Sequence, residues 1–222
     1  MAFHYSPRVV TNGLVLYFDA GNTKSYPGSG LTWIDVKSNR TATLVNGPTF
    51  NSANSGVITT DGINDYISVT LPTIGTAYSI SFWVKFISLP AGAASEIQLF
   101  GSPSDIASIS LYAAVSNTYK FLSWNGSGAR IGTTTLAINT WYNFVMVNSS
   151  NTIFYLNSAV DGTFANTATL NSGAATFACI NGIARFLNSN ISNIMFYNRA
   201  LSATEISQNY KALKGRFGLW VL

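Results

Sequence analysis

Two glutamates, six aspartates, one histidine and one cysteine are all that this 222-residue chain offers for acid–base, nucleophilic or metal chemistry. Glycoside hydrolysis ordinarily takes two carboxyls about 5–10 Å apart. Glu96, in "AGAASEIQLF", has no acidic neighbour two residues away on either side, so strand alternation brings it no partner. Glu205 closes Ser202-Ala-Thr-Glu205, the spacing of a capping box, in which serine and glutamate satisfy each other's backbone N–H groups at a helix start. That spacing assigns Glu205 to structure rather than catalysis. A Ser-His-Asp arrangement would rest on His4, in the N-terminal arm, without a Gly-x-Ser-x-Gly elbow. "GSPSD" at 101–105 has the wrong spacing, and its Pro103 makes a turn. Cys179, in "TFACING", can form no disulfide within the chain and reads as a small buried strand residue. The chain is therefore expected not to be an enzyme.

Recognition needs less than catalysis. A sugar site takes an exposed aromatic to stack on a ring face, with amide or guanidinium groups reaching hydroxyls. "FLSWNGSGARIG", residues 121–132, offers Trp124, Asn125 and Arg130 on an expected hairpin loop. Trp124 either stacks on a sugar or closes the end of the core, since aromatics dominate core energetics as well as interfaces. Tyr26 and Trp33, in the first long loop, offer a second surface, with Trp33 expected to anchor that loop. Asp61, Asn64 and Asp65 form the best local oxygen cluster. Calcium takes six to eight oxygen ligands, so in a chain this poor in carboxylates the competing reading is a strand-entry turn held by Asx hydrogen bonds. No other cofactor is expected.

The composition bounds the class. Hydrophobic residues make up 47% and aromatics 14%, ample for a core, while charged residues are only 9%, against about 25% in ordinary globular chains. The net charge of +4 comes from scarce acids rather than abundant bases. Lys211, Lys214 and Arg216 cluster around the end of the expected helix, where cations complement its dipole. No basic stripe or motif for nucleic acid is present, and no apolar run is long enough to cross a membrane. The start "MAFHYSPRVV" lacks the plan of a signal peptide, which predicts synthesis in a cytoplasm followed by assembly.

The elements follow from periodicity. In "YSISFWVKFI", Tyr78, Ile80, Phe82, Val84 and Phe86 share one face, and Ser79, Ser81, Trp83 and Lys85 the other. "WYNFVMVNSS" and "NTIFYLNSAVDG" read as a hairpin joined by the polar tract 148–151. Further strands are expected at 13–18, 64–70, 106–115, 119–124, 177–183 and 191–197, with surface loops at 21–56 and 158–175. Such spacing predicts an all-β antiparallel sandwich or jelly roll. One short helix follows Ser202, with Ile206, Tyr210 and Leu213 in an apolar stripe and Gly215 at its stop.

Several of these segments carry a family resemblance. "YNRALSATEISQNY" resembles the closing motif of laminin-G-like domains of the concanavalin A-like lectin/glucanase superfamily. "TTDGINDYISV", "YSISFWVKF" and "NTWYNFVMVNSSNTIFYLNSAVDG" resemble its other landmarks, in the expected order. The resemblance implies a two-sheet antiparallel jelly-roll sandwich with one short C-terminal helix, and structural roles for Trp83 and Trp141. Relatives often carry an acidic pair in the last strand whose aspartate helps hold calcium; Ser192 and Asn193 stand there in this chain. Glucanase relatives bring their carboxyls from one strand in a Glu-x-Asp-x-x-Glu pattern, which is missing. The flanks "GLVLYFDAGNTKSYPGSGLTWIDVKSN" and "YKALKGRFGL" resemble virion-associated proteins of tailed phages, especially those of marine cyanobacteria.

Together these readings divide the chain into an N-terminal arm at 1–12, a laminin-G-like sandwich at 13–215 and an apolar tail at 216–222. In that tail, "RFGLWVL", Phe217, Leu219, Trp220 and Leu222 are expected to serve assembly. The expected function is a non-enzymatic virion protein, as capsid decoration or tail or fibre adhesion module. Its partners would be other virion proteins, copies of itself and host-surface glycans. A stand-alone carbohydrate-binding module is the alternative, and a glycoside hydrolase the third reading.

Overall fold

A computed structural model describes residues 7–89, 95–104, 107–115, 118–126, 128–165 and 167–219. His4, Asp105, Trp220 and Leu222 lie outside them. The strands run β1 (Leu14–Asp19), β2 (Thr32–Ile34), β3 (Thr41–Val45), β4 (Thr49–Asn51), β5 (Val57–Asp61), β6 (Tyr66–Leu71), β7 (Tyr78–Phe86) and β8 (Ser95–Gly101). They continue as β9 (Ile109–Ala113), β10 (Tyr119–Trp124), β11 (Ala129–Ile131), β12 (Trp141–Asn148), β13 (Thr152–Leu156), β14 (Ala159–Phe164), β15 (Gly173–Phe177) and β16 (Asn188–Tyr197). Helix α1 (Ala203–Leu213) and a 3-10 turn (Lys214–Phe217) follow.

The strands form two antiparallel sheets packed face to face. One is ordered β14-β13-β12-β7-β16-β5-β4, with β1 also paired to β16; the other is ordered β11-β10-β9-β8-β15-β6-β3-β2. Alternation decides what meets between them. From β7, Ile80, Phe82, Val84 and Phe86 enter a single core with Phe100, Leu111, Phe121 and Phe177 of the facing sheet. Aromatic rings bridge the layers: Phe121 stacks on Phe144 at 3.9 Å, and Phe100 meets Phe196 edge-on at 5.5 Å.

The first sheet is buried on its outer face too. Trp83, Trp141, Val145, Met195 and Tyr197 form a second core with Ile206, Leu213 and Phe217 of the C-terminal segment. Trp83 stacks on Tyr210 at 5.5 Å and on Phe217 at 4.2 Å. This explains why a strand with polar alternation (Ser79, Ser81, Trp83) has no wet face: the helix covers it. Ser79 is used there, donating to the Arg199 carbonyl at 3.0 Å and accepting the Leu201 N–H at 2.9 Å.

Three expectations are corrected. The stretch 21–56 carries β2, β3 and β4 rather than only loop, and 158–175 carries β14 and the start of β15. Alternation is present there (Ala42 and Leu44 face the core), but threonine and small residues thin the apolar signal until pairing partners supply it. The expected strand 177–183 is instead a turn: Ala178, Asn181 and Gly182 have φ of 66, 51 and 73°. Cys179 is buried in that turn and accepts the Gly182 N–H on Sγ at 3.2 Å; burial raises its pKa.

The tail is corrected as well. Phe217 is 7% exposed and sits against Trp83 and Trp141, 4.2 and 4.4 Å between ring centroids, and Leu219 packs on the same cluster. Arg216 reaches Asp19 through two bonds of 2.7 and 2.9 Å. Phe217 therefore belongs to its own domain's core and is withdrawn as an assembly element.

Candidate functional site

Glu205 is the cap its spacing predicts. Its N–H donates to Ser202 Oγ at 3.3 Å, and its Oε2 accepts the Ser202 N–H at 2.9 Å. Arg199 adds a bidentate pair at 2.9 and 2.7 Å. These donors, the Arg199 guanidinium first and the Ser202 N–H next, hold its carboxyl down at about 2, against an ordinary value of 4.5. A depressed carboxyl contributes stability that is full above its unfolded value and lost as pH falls through its folded one. The Glu205→Gln variant is expected to be less stable than the parent at neutral pH, with the gap closing between pH 4.5 and about 2. Urea titrations across that window check this; a gap constant with pH would refute it.

The other sheet has one face open to solvent, and there the chain builds a groove. Alternation in β9 sends Ile109, Leu111 and Ala113 inward and Ser110 and Tyr112 outward; in β10 it sends Tyr119 and Phe121 inward and Lys120, Leu122 and Trp124 outward. Register aligns these side chains into rows. Glu96, Tyr112 and Lys120 are cross-strand partners, and so are Gln98, Ser110, Leu122 and Ile131. Trp124 lies one row further along, opposite Ala129.

Over these rows opens a cavity of about 430 Å³, lined by Gln98, Ser110, Tyr112, Leu122, Trp124 and Arg185 among others. Its floor is fixed. Gln98 donates through Nε2 to the Phe100 carbonyl at 2.8 Å and accepts Ser110 Oγ–H on Oε1 at 2.9 Å. Arg185 comes from the loop before β16; its carbonyl accepts the Gln98 N–H at 3.0 Å, and its guanidinium pairs with Glu96 at 2.9 Å. A second cavity of about 310 Å³ adjoins the first, sharing Tyr112 and Ile131 and extending past Lys120 to Val115 and Thr118.

Of the residues expected to touch a sugar, only Trp124 lines the groove. It is 43% exposed at the end of β10. Asn125 is in the β10–β11 turn, where its Oδ1 accepts the Gly128 N–H at 2.8 Å and Gly126 supplies the φ of 89°. Arg130 is withdrawn: it is a β11 residue opposite Ser123, 1% exposed, pointing inward to donate to Thr152 Oγ1 at 2.5 Å. Tyr26 is withdrawn too, at 3% exposed, its ring against Phe50 and its hydroxyl donating to the Gly30 carbonyl at 2.7 Å. Trp33 is buried in the core from β2. The residues the sequence reading missed are Gln98, Ser110, Tyr112, Leu122 and Arg185. Period-two alternation puts the first four on outward faces, but only pairing register puts them side by side.

The acidic cluster is a turn. Asp61 Oδ1 accepts the N–H groups of Ile63, Asn64 and Asp65 at 2.8, 3.2 and 3.2 Å. Against a desolvation that raises it, those donors hold the Asp61 pKa below its usual value. Asp65 Oδ2 accepts the Asp61 N–H at 3.2 Å; burial, then the Asp61 charge, raises its pKa. Asn64 gives its carbonyl to the Asn46 side chain at 2.9 Å. The carboxylate oxygens are spent on the loop itself, and no group of three acidic, histidine or cysteine side chains among the described residues could hold a metal. The last strand offers Ser192, which donates to the Gly56 carbonyl at 3.2 Å, and buried Asn193.

The sandwich is similar to several solved structures. A Trypanosoma rangeli sialidase in complex with sialic acid aligns at TM-score 0.68 and 16% identity, over 96% of this chain and 36% of that one. The receptor binding domain of botulinum neurotoxin type G aligns at TM-score 0.67 and 18% identity, over 90% and 51%. This chain thus spans about a third to a half of those two structures. Domain 4 of AbnA, an extracellular arabinanase from Geobacillus stearothermophilus, in complex with arabinotriose, aligns at TM-score 0.67 and 15% identity, over 89% and 98%. At these identities the likeness concerns the fold. No curated protein matches the chain. Residues 61–207 match the family model described as the concanavalin A-like lectin/glucanases superfamily, and the chain belongs to that superfamily.

Proposed function

We propose that this domain is a non-catalytic carbohydrate-binding module whose site is the groove on the open sheet. The observation that carries the proposal is the half-exposed Trp124 at the edge of a cavity of about 430 Å³ whose polar floor, Gln98 and Ser110, is already hydrogen-bonded in place. A ring that stays exposed beside a concave surface stacks on the apolar face of a sugar at little ordering cost. The Tyr112 hydroxyl and the Glu96–Arg185 pair supply groups for sugar hydroxyls. Relatives of this fold whose names refer to sugars or receptors, such as the arabinanase domain in complex with arabinotriose, agree with the reading.

The non-catalytic part rests on the carboxylates. Glu96 is the acidic residue lining the larger cavity, and Arg185 holds it at 2.9 Å, whereas glycosidic cleavage ordinarily uses a pair. Virion placement, with other virion proteins or further copies of this chain as partners, is proposed on the flanking segments alone.

The test is affinity electrophoresis and calorimetry of the full chain against a panel of polysaccharides, with reducing-sugar release followed in parallel. The Trp124→Ala variant, at an exposed site, is expected to fold as the parent does and to lose at least about 2 kcal/mol of binding, a roughly thirtyfold rise in Kd. Binding undiminished by that change would remove the groove as the site, and sugar release would overturn the non-catalytic reading.

A further inference from the structure

The groove continues beyond the cavity beside Trp124, and its two ends differ in charge. Four residues of β10 separate Trp124 from Lys120, about 13 Å of strand, and the two cavities meet over Tyr112 and Ile131 between them. That span is longer than one sugar ring and runs along an open surface, which suits a chain rather than a single residue. Glu96 stands in the same row as Lys120, two strands away across Tyr112, and is neutralised by Arg185 at 2.9 Å.

The far cavity is different. Lys120 lines it together with Tyr112, Ala114, Val115, Thr118 and Thr135, none of them acidic. Lys120 is the cross-strand partner of Tyr112, lines the cavity with it, and enters none of the ion pairs found among the described residues. The described carboxylates are committed elsewhere: Asp19 to Arg216, Glu205 to Arg199, Glu96 to Arg185, Asp35, Asp61 and Asp65 to backbone N–H groups of their own turns, and Asp161 to the Thr134 N–H across the loop before β12. A cation inside a groove with no acidic partner among the described residues complements an anion on the ligand.

We propose that the groove binds a linear acidic polysaccharide, with a neutral stretch of the chain stacked on Trp124 and a carboxylate or sulfate of a neighbouring sugar on Lys120. This deepens the carbohydrate-binding reading above and rests on it. A single partly exposed pairing of this kind contributes roughly fivefold in affinity and weakens with salt.

The experiment measures binding of the full chain to polygalacturonate and alginate, to chondroitin sulfate, and to carboxyl-reduced polygalacturonate as the neutral counterpart, at low and raised salt. The acidic polymers are expected to bind about fivefold more tightly than the neutral one, with the advantage shrinking as salt rises. Chondroitin sulfate carries a carboxylate and a sulfate in each repeat, so preference for it over the unsulfated uronates assigns the sulfate to Lys120, and equal or weaker binding assigns the carboxylate. Lys120→Gln is expected to erase the acidic advantage, bringing the acidic polymers to the affinity of the neutral one, and Trp124→Ala to weaken binding of both. If the neutral polymer binds as well as the acidic ones and Lys120→Gln changes neither, the acidic assignment falls while the carbohydrate reading stands. If acidic polymers bind equally well to Trp124→Ala, the attraction is surface charge rather than the groove, and the assignment also falls. Failure of every polymer to bind overturns both.

Discussion

Phe217→Ala is expected to destabilise the domain by about 3–5 kcal/mol, the range for removing a buried aromatic ring from a packed core. The ring lies against two tryptophans, Trp83 at 4.2 Å with planes 19° apart and Trp141 at 4.4 Å. Deleting it leaves a cavity over the outer face of the sheet that β7 and β12 build. The neighbouring contacts make collapse into that cavity costly: Arg216 grips Asp19, and the Asn54 side chain donates to the Arg216 carbonyl at 3.0 Å. Ending the chain at Gly215 removes the ring and the ion pair together and is expected to cost more than the point substitution. Urea unfolding measures both, with light scattering alongside. Parent-like stability accompanied by loss of an oligomer would reinstate the tail as an assembly element and refute the packing argument.

The second large effect is expected at Gly56. Its φ of 124° is one that L residues rarely adopt, and a Cβ there would sit 2.4 Å from the Ala20 carbonyl oxygen and 2.8 Å from the Cα of Gly21. Neither is a side-chain tip that can swing away. Both backbones are anchored to β16: Ala20 N–H donates to the Ser192 carbonyl at 2.9 Å, and Ser192 Oγ–H donates to the Gly56 carbonyl at 3.2 Å. Gly56→Ala therefore adds backbone strain to overpacking, each costing about 1–3 kcal/mol, and is expected to lose about 3–5 kcal/mol. Gly30→Ala is the control, because Gly30 has a φ of 90° but nothing within 4 Å of the added carbon. It is expected to lose only about 1 kcal/mol, from strain alone. Equal losses at the two positions, read by thermal or chemical unfolding, would show that the close approach at Gly56 does not matter.

Much of the fold was legible in the sequence because it is written in short-range patterns. The alternation of 78–86, the hairpin of 141–156 and the Ser202–Glu205 capping box each involve residues close enough in sequence to act on one another. All three stand in the structure as expected. The threonine-rich strands β2, β3 and β4 were not legible, since their few apolar residues become a pattern only when β6 and β5 pair with them.

Of the four residues expected to touch a sugar, one, Trp124, lines the proposed groove. Trp124 and Arg130 lie six positions apart on the two arms of one hairpin, and composition alone treats them alike. Their register decides otherwise: Arg130 is opposite Ser123 and faces the core, while Trp124 is opposite Ala129 and faces solvent. A shift of one residue would exchange those faces. Tyr26 and Phe217 failed as surface residues for a related reason, because an aromatic in a loop or tail shows no periodicity and only the surface it meets decides whether it is covered. By itself, the sequence determined the class of the fold, its C-terminal helix and the role of Glu205, all set by neighbours along the chain. Only the tertiary structure decided which face is open, which side chains line the groove and that Lys120 stands there without an acidic partner among the described residues, because those facts depend on strand pairing between residues far apart in sequence.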